Sequence, residues 1–130
     1  MEEVLKFLKE CKVYYLATVE DGKPRVRPFG TAEIFENHLY IQTGNKKDVF
    51  KQIMKNPNVE ICAFKDGKWL RLRGILKRDD RFVARKDMLD KNPYLRGMYD
   101  ENDGNTEVLY FEQAEAIFSE FGKEARIVKF

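Results

Sequence analysis

Two Asp-Gly dipeptides, at positions 21–22 and 66–67, constrain the fold of this chain more than any other sequence feature. Each lies between two segments that are rich in β-branched and aromatic residues and in which apolar and polar residues alternate. An Asp-Gly pair in that position favours a tight hairpin turn, and a hairpin joins antiparallel strands. The sequence therefore predicts an antiparallel sheet. The predicted strands lie near residues 13–19, 24–35, 38–43, 58–64, 68–78, 106–111 and 125–130.

Apolar residues at helical spacing predict helices at two places beside these strands. Val4 and Leu8 lie on one face of a short amphipathic helix over residues 2–11. Residues 80–99 are also helical in character, with a break near Asn92-Pro93. The polar segment that follows, DENDGN, is predicted to be a loop.

A further helix of about ten residues is predicted after Gly44, because Val49 and Ile53 share one helical face. Asn56-Pro57 ends it, since the residue before a proline disfavours helical geometry. Asn45 is the predicted cap, in a capping-box-like arrangement with the acidic residue three positions later.

The segment 113–121 is ambiguous. Ala114, Ile117 and Phe118 recur at helical spacing, whereas Ala114, Ala116 and Phe118 alternate as they would in a strand. The residue pattern alone slightly favours a helix.

About six strands joined by hairpins and accompanied by short helices favour a small closed or nearly closed β-barrel over a parallel α/β fold. The chain has 130 residues, the length of one ordinary domain. We therefore predict the α+β class, with a single domain over residues 1–130 and a barrel core.

The net charge argues against a general nucleic-acid-binding role. The 24 basic and 22 acidic residues leave a formal charge of +2, which gives a weak overall field. Residues 43–81 hold eleven basic and five acidic residues, a local +6, so a nucleic-acid binder stays a minor alternative. Residues 100–124, with one basic and eight acidic residues, carry a local charge of −7, which disfavours nucleic-acid binding. We expect no nucleic-acid partner.

Targeting, metal and haem signals are weak. No apolar run reaches about 18 residues and the N-terminus is acidic and amphipathic, so we expect a cytoplasmic protein without a membrane partner. Cys11 and Cys62 lack the spacing of a structural zinc site and are expected to be buried. His38 is the only histidine and lies in a predicted turn, which makes haem ligation improbable.

Lys46 and Lys47 stand in the predicted first turn of the second helix, where free backbone N–H groups and the helix dipole already favour negative charge. With Thr43 and Gly44 just before them, they could hold a phosphate. The alternative is two solvated lysines.

Paired arginines on two strands give a second signal. Arg25 and Arg27 are two residues apart and share one face, and Trp69, Arg71 and Arg73 share one face of a later strand. Solvated arginines are the simpler interpretation. Together with the lysine pair, however, guanidinium groups and an indole would suit a flat aromatic ligand that carries a phosphate.

Pro28 interrupts the first arginine strand. Because proline has no backbone N–H, it belongs at a sheet edge or a bulge. Neighbouring backbone groups would then be free for a ligand, and Gly30 would allow close approach of the backbone.

The segments GKPRVRPF, TGNKK, a helix closed by KNP, and WLRLRG occur in this order along the chain. In this order and spacing they resemble the FMN-binding split-barrel proteins related to pyridoxamine 5′-phosphate oxidase. The small members grouped with nitroimidazole-resistance and general-stress proteins are the most similar. The resemblance implies a homodimer of six-stranded antiparallel split β-barrels with short flanking helices, and two FMN molecules bound between the subunits.

The resemblance also implies roles for single residues. Arg27 would lie near the FMN phosphate and ribityl chain, and Pro28 and Phe29 along the isoalloxazine ring. Gln42 and Thr43 would touch the phosphate side, where one or both of Lys46 and Lys47 would bind. Trp69 would lie beside the flavin, with Arg71 as a weaker candidate. It further favours a strand over residues 113–121.

The activity implied is that of an FMN-dependent oxidoreductase. A reductant such as NAD(P)H would reduce the flavin, which would pass electrons to a small acceptor. The alternative is a protein that binds flavin or another anionic ring without turnover, as a store or sensor. The C-terminal arginine and tryptophan signature of the oxidases is not visible, so vitamin B6 oxidation is not expected. The modified histidine of some nitroimidazole-resistance proteins has no counterpart either.

Overall fold

A single antiparallel sheet of eight strands forms the body of the protein, and the computed structural model describes residues 1–130. The strands are β1 (Tyr14–Glu20), β2 (Lys23–Phe29), β3 (Glu33–Phe35), β4 (His38–Gly44), β5 (Asn58–Lys65), β6 (Lys68–Asp79), β7 (Thr106–Glu120) and β8 (Arg126–Lys129). The helices are α1 (Glu2–Cys11), α2 (Asp48–Lys55) and α3 (Phe82–Lys91), and a 3-10 helix (Pro93–Gly97) follows α3. The predicted α+β class is confirmed.

Both Asp-Gly hairpins form where the sequence predicts them. Asp21 and Gly22 have φ values of 52° and 75°, and Asp66 and Gly67 repeat the same pair of values. Two consecutive positive φ angles match the right-handed twist of the flanking strands, and Asp-Gly adopts them at low cost. The turns therefore set the register of β1 with β2 and of β5 with β6.

The sheet is open, with the strand order β2-β1-β5-β6-β7-β4-β3 and with β8 paired to β7. It has two faces. The inner face carries Leu16, Ile61 and Leu72, which are fully buried under α1 and α2. Leu8 of α1 and Ile53 of α2 belong to the same core. The outer face carries the residues that alternate with these along each strand. The arrangement is a split barrel in which two helices cover the inner face.

The third helix covers only part of the outer face. Ala84 and Met88 of α3 pack on Tyr40 and Val108, which belong to β4 and β7. The outer face of β2, β1, β5 and β6 has no helix over it. No helix in the structure is long and apolar enough to cross a membrane.

The sheet has eight strands, whereas the residue pattern predicts seven segments and the resemblance implies a six-stranded barrel. The predicted strand 24–35 divides into β2 and β3, because the segment 30–32 leaves the backbone ladder of β1. A side chain of β1 holds this segment instead: the Tyr14 hydroxyl donates to the Thr31 carbonyl at 2.6 Å. The strand predicted near 125–130 forms β8, a short partner of β7.

The predicted cap of α2 is wrong. The helix begins at Asp48, with Lys47 at the N-cap and no side-chain cap. The Asn45 side chain instead donates to the Gly104 carbonyl and the Glu107 carboxylate, both at 2.9 Å. Asn45 is thus part of a loop-to-loop contact, and α2 has eight residues where about ten are predicted.

Residues 113–120 form a strand within β7, as the family resemblance implies and against the slight helical preference of the pattern. Ala116 pairs with Leu72 of β6 and with Val128 of β8, so it has hydrogen-bonded neighbours on both sides. A bulge with Gln113 at a φ of 51° lies beside Gly74 and accommodates the change of register.

Candidate functional site

Arg27 lies on the inner face, at the edge of the sheet. It pairs with Leu16 of β1, and its guanidinium donates to the Thr18 hydroxyl at 2.7 Å and to Gln52 Oε1 at 2.6 Å. This reverses the expectation of apolar residues inside and arginines outside, since Val26 on the same strand is 67% exposed. The groups that accept hydrogen bonds from Arg27 belong to α2 and β1. The residue spacing within β2 therefore does not predict them.

Three neutral oxygens hold Arg27, and no carboxylate forms a salt bridge with it. Burial lowers the pKa of its guanidinium, and the Asp48 carboxylate in the first turn of α2 opposes that effect. A half-buried cation without an ion-pair partner is electrostatically incomplete and favours an anion nearby.

Thr18 and Gln52 hold this arginine and are the residues that sequence reasoning missed. The Thr18 hydroxyl donates to Gln52 Oε1 at 2.6 Å, and both side chains are buried. A signal for them exists: Gln52 lies on the apolar face of α2 beside Val49 and Ile53, a position where a polar side chain needs a buried partner.

Lys46 and Lys47 directly precede α2 instead of standing in its first turn as predicted, because the helix begins at the residue that follows Lys47. Both are exposed and neither is in a salt bridge. Thr43 precedes them on the inner face of β4, and its buried hydroxyl has no hydrogen-bond partner. Buried polar groups are nearly always paired in native proteins, so this hydroxyl points to a missing acceptor or donor. Arg27 contacts the same helix through Gln52, one turn after the first residue of that helix.

Gly44, between the threonine and the lysines, is required by close packing. A Cβ at this position would lie 3.0 Å from the Asn105 side chain and 3.3 Å from the Tyr99 ring. A side chain there would displace the segment that connects β4 to α2.

Gln42 faces away from Thr43 and is buried. Its backbone N–H donates to the Thr31 hydroxyl at 3.0 Å, and its side-chain amide donates to the Thr43 carbonyl at 3.2 Å. In a single chain, Gln42 therefore ties β4 to the segment between β2 and β3.

Pro28 and Phe29 lie on β2, which is an edge strand as the proline predicts. Pro28 is exposed on the outer face, whereas Phe29 packs toward the core with its ring centroid 6.0 Å from that of Tyr14. Because β2 pairs only with β1, the backbone groups on its other side have no strand partner.

Trp69 and Arg71 lie on the outer face of β6, opposite to Arg27. Arg71 donates to the Glu60 carboxylate at 2.9 Å, and the Trp69 ring lies 5.0 Å from that of Phe121. Two strands, β1 and β5, separate β6 from β2, so Arg71 and Pro28 are about 14 Å apart at ordinary strand spacing. Within one chain, the tryptophan and this arginine do not join the Arg27 group.

The other candidate arginines are satisfied by carboxylates. Arg25 pairs with Glu20 at 3.2 Å and Arg73 with Glu115 at 2.6 Å. His38, predicted to be a turn residue, opens β4, contacts the Glu36 carbonyl through Nδ1 at 3.1 Å and packs against a tyrosine.

The outer face that α3 leaves uncovered is apolar over much of its area. Phe64 is 63% exposed there, and Cys62, predicted to be buried, is exposed as well. Soluble monomers seldom present large contiguous apolar surfaces, which usually mark an interaction site. The exposed apolar side chains of this face are Val13, Tyr15, Val26, Phe64 and Ile127.

These features describe a split-barrel protein in which Arg27 contacts α2 and two exposed lysines precede that helix. The model of the pyridoxamine 5′-phosphate oxidase family matches residues 1–117. The chain therefore belongs to the pyridoxamine 5′-phosphate oxidase family.

Solved structures agree with this assignment. A NimC/NimA family protein from Clostridium acetobutylicum is 42% identical, with a TM-score of 0.97 over 100% of this chain and 92% of that chain. General Stress Protein 26 from Bacillus anthracis is 15% identical, with a TM-score of 0.78 over 99% of this chain and 97% of that chain. A pyridoxamine 5′-phosphate oxidase-related, FMN binding protein from Nostoc punctiforme is 18% identical, with a TM-score of 0.68 over 99% and 93%. No curated protein matches the chain.

Proposed function

We propose that the protein binds FMN between two copies of the chain and acts as a cytoplasmic oxidoreductase. The observation that carries the proposal is the half-buried guanidinium of Arg27, which has no carboxylate partner and contacts α2 through Gln52. Family membership supports FMN as the ligand, and one structural neighbour is named as an FMN binding protein.

The residues at the start of α2 fit a phosphate monoester. Arg27 supplies a guanidinium, Lys46 and Lys47 supply unpaired ammonium groups, and Thr43 supplies a buried hydroxyl without a partner. Guanidinium and ammonium groups near a helix N-terminus are the usual phosphate ligands in proteins. We infer that these four residues hold the phosphate end of the cofactor.

A second copy of the chain would complete the ring end of the site. Trp69 and Arg71 face the wrong side of the sheet to reach Arg27 of their own chain, but they lie on the uncovered apolar face that a second copy would cover. A homodimer through this face would bring them beside Pro28 and Phe29 of its partner, along the free edge of β2. Gln42 would support the phosphate site from the face of β4 opposite to Thr43.

When bound, FMN supplies hydride or electron transfer between a donor such as NAD(P)H and a small acceptor. The residues of this chain would hold the phosphate, orient the ring along β2 and exclude water with Trp69 and Phe29. A flavin-binding store or sensor is the alternative, because no candidate residue here is a general acid or base.

Flavin retention tests the phosphate site. The Lys46→Glu/Lys47→Glu variant should lose FMN on purification, because two cations near the phosphate become two anions. Lys51→Glu/Lys55→Glu is the matched control, since both lysines are exposed on the same helix but lie beyond its first turn. Equal FMN content in the two variants would refute the phosphate site.

Sedimentation analysis tests the dimer. Phe64→Glu places a charge in the uncovered apolar face and should give a monomer that no longer retains FMN. Met98→Glu, a change of the same kind at a residue that is 77% exposed at the end of the 3-10 helix and does not belong to this face, should leave both properties intact. A dimer that survives Phe64→Glu would exclude this face as the interface.

Stopped-flow mixing of the reduced protein with candidate acceptors separates an enzyme from a store. Reoxidation faster than that of free FMN supports catalysis. Reoxidation at the rate of free FMN with every acceptor would leave flavin binding as the function.

A further inference from the structure

Lys12, between α1 and β1, has a backbone conformation that lysine seldom adopts. Its φ is 67° and its ψ is −48°, and the N–H of Val13 donates to the carbonyl of Cys11 at 2.8 Å. This is a γ-turn with positive φ at its centre, a rare and strained form. Such strain in a non-glycine residue persists where the surrounding structure imposes it, and it clusters at ligand sites.

The turn borders an open, shallow surface cavity of about 330 Å³ between the end of α1, the segment that links β2 to β3, and the residues that follow α3. Its size is at the lower end of the range for small-molecule sites. The lining residues include no acidic side chain. They are Lys9, Lys12, Gly30, Ala32, Asn92 and Tyr94.

Of the two lysines in the cavity, only Lys12 is unpaired. The Lys9 ammonium donates to the buried Glu33 carboxylate at 2.8 Å, and the Asn92 amide donates to the same oxygen at 3.1 Å. Lys12 is exposed and forms no salt bridge. The cavity therefore presents one free positive charge beside a neutralised ion pair.

The remaining walls suit a flat ring. Tyr94 exposes 66% of its surface and offers an aromatic face, while Gly30 and Ala32 line the cavity without bulky side chains. Aromatic rings stack on such a surface, and the free cation would pair with an acidic substituent.

We propose that this cavity binds a small aromatic acid, a single ring that carries a carboxylate, with Lys12 as the residue that selects for the charge. The inference rests on the proposed function, because Gly30 directly follows Pro28 and Phe29, along which the flavin ring is proposed to lie. The cavity would then place the ligand next to the flavin.

Calorimetric titration of the purified protein with benzoate and with its neutral analogue benzamide tests the proposal. We expect benzoate to bind at least about tenfold more tightly, a difference of about 1.4 kcal/mol. Lys12→Met should remove that preference and leave benzamide binding unchanged. Lys6→Met, on the exposed side of the same helix, is the control and should bind benzoate as the parent protein does.

The FMN content of the same samples keeps the two proposals apart. Benzoate selectivity in a protein without FMN would refute the flavin proposal and leave the cavity site standing. FMN retention with no benzoate preference, or with a preference that survives Lys12→Met, would overturn the cavity site alone.

A second variant addresses the strained turn. Lys12→Gly removes the cation and also relieves the positive φ, so it should raise the melting temperature while abolishing benzoate selectivity. A lower melting temperature together with retained selectivity would contradict the role given to the turn.

Discussion

Two arginines, the half-buried Arg27 and the exposed Arg81, are held in opposite ways. Arg81 follows β6 and donates to the Asp79 carboxylate at 2.8 Å and to that of Glu36 at 2.7 Å. Hydrogen bonds to these carboxylates raise the pKa of Arg81. Arg27 has only neutral acceptors, and burial lowers its pKa.

The difference is the one expected between a structural arginine and the ligand-binding arginine that we propose. The charge of Arg81 is balanced within the fold, where it links the end of β6 to the turn between β3 and β4. The guanidinium of Arg27 forms no salt bridge within the chain. Removing a partner of Arg81 should therefore reduce stability, whereas replacing Arg27 should reduce ligand binding.

Asp79→Asn is expected to have the largest effect on folding. The Asp79 side chain is almost fully buried and accepts hydrogen bonds from Arg81 and from the Tyr40 hydroxyl. The loss of charged hydrogen bonds should lower the free energy of unfolding by about 1.5–3 kcal/mol. Urea unfolding of the parent and of the variant measures this loss of unfolding free energy. A change below about 0.5 kcal/mol, the range of ordinary surface substitutions, would contradict a structural role for this network.

Arg27→Met should weaken FMN binding about tenfold or more, since a hydrogen-bonded charge contributes roughly 1.5–3 kcal/mol. The free energy of unfolding of this variant should change little, because the desolvated charge and its hydrogen bonds disappear together. Titration of the apoprotein with FMN, followed by flavin fluorescence, gives the dissociation constant. Asp79→Asn is the control, with unchanged affinity for FMN. Unchanged FMN affinity of Arg27→Met would remove the distinction between the two arginines.

Acid should weaken the Arg81 network and leave the Arg27 group unaffected. Hydrogen bonds from Arg81 lower the pKa of Asp79 in the folded protein below its unfolded value of about 3.9. The stabilisation is therefore present above about pH 4 and is lost as the pH falls through the folded value. The stability difference between the parent and Asp79→Asn should shrink in that window. A difference that stays constant down to about pH 2 would be inconsistent with this linkage.

Tyr40→Phe should have the smallest effect, about 0.5–1.5 kcal/mol of unfolding free energy. The hydroxyl donates to Asp79 at 2.8 Å, and burial raises the pKa of Tyr40. Since the two side chains share one network, the double variant with Asp79→Asn should lose less than the two single losses together. Strict additivity would indicate that Tyr40 and Asp79 act independently.

The lysine pair and the edge proline are visible in the sequence because their signals are local. Lys46 and Lys47 lie at the start of α2 whether the helix begins at Asn45 or at Asp48, and Pro28 cannot occupy a central strand. The partners of Arg27 are not visible in this way. Gln52 is 25 residues away, and nothing in the local pattern of β2 indicates that an arginine faces inward.

The sequence by itself determined the two hairpins, the first helix and the face of each side chain on β6, where Leu70 and Leu72 are buried and Trp69 and Arg71 alternate with them. These features depend on turn geometry and on a period of two residues, both of which are short-range properties. Only the tertiary structure decided that 113–120 is a strand, that Arg27 faces inward and that Trp69 lies on the opposite side of the sheet. Strand pairing and burial depend on residues distant in sequence, so no local pattern contains them.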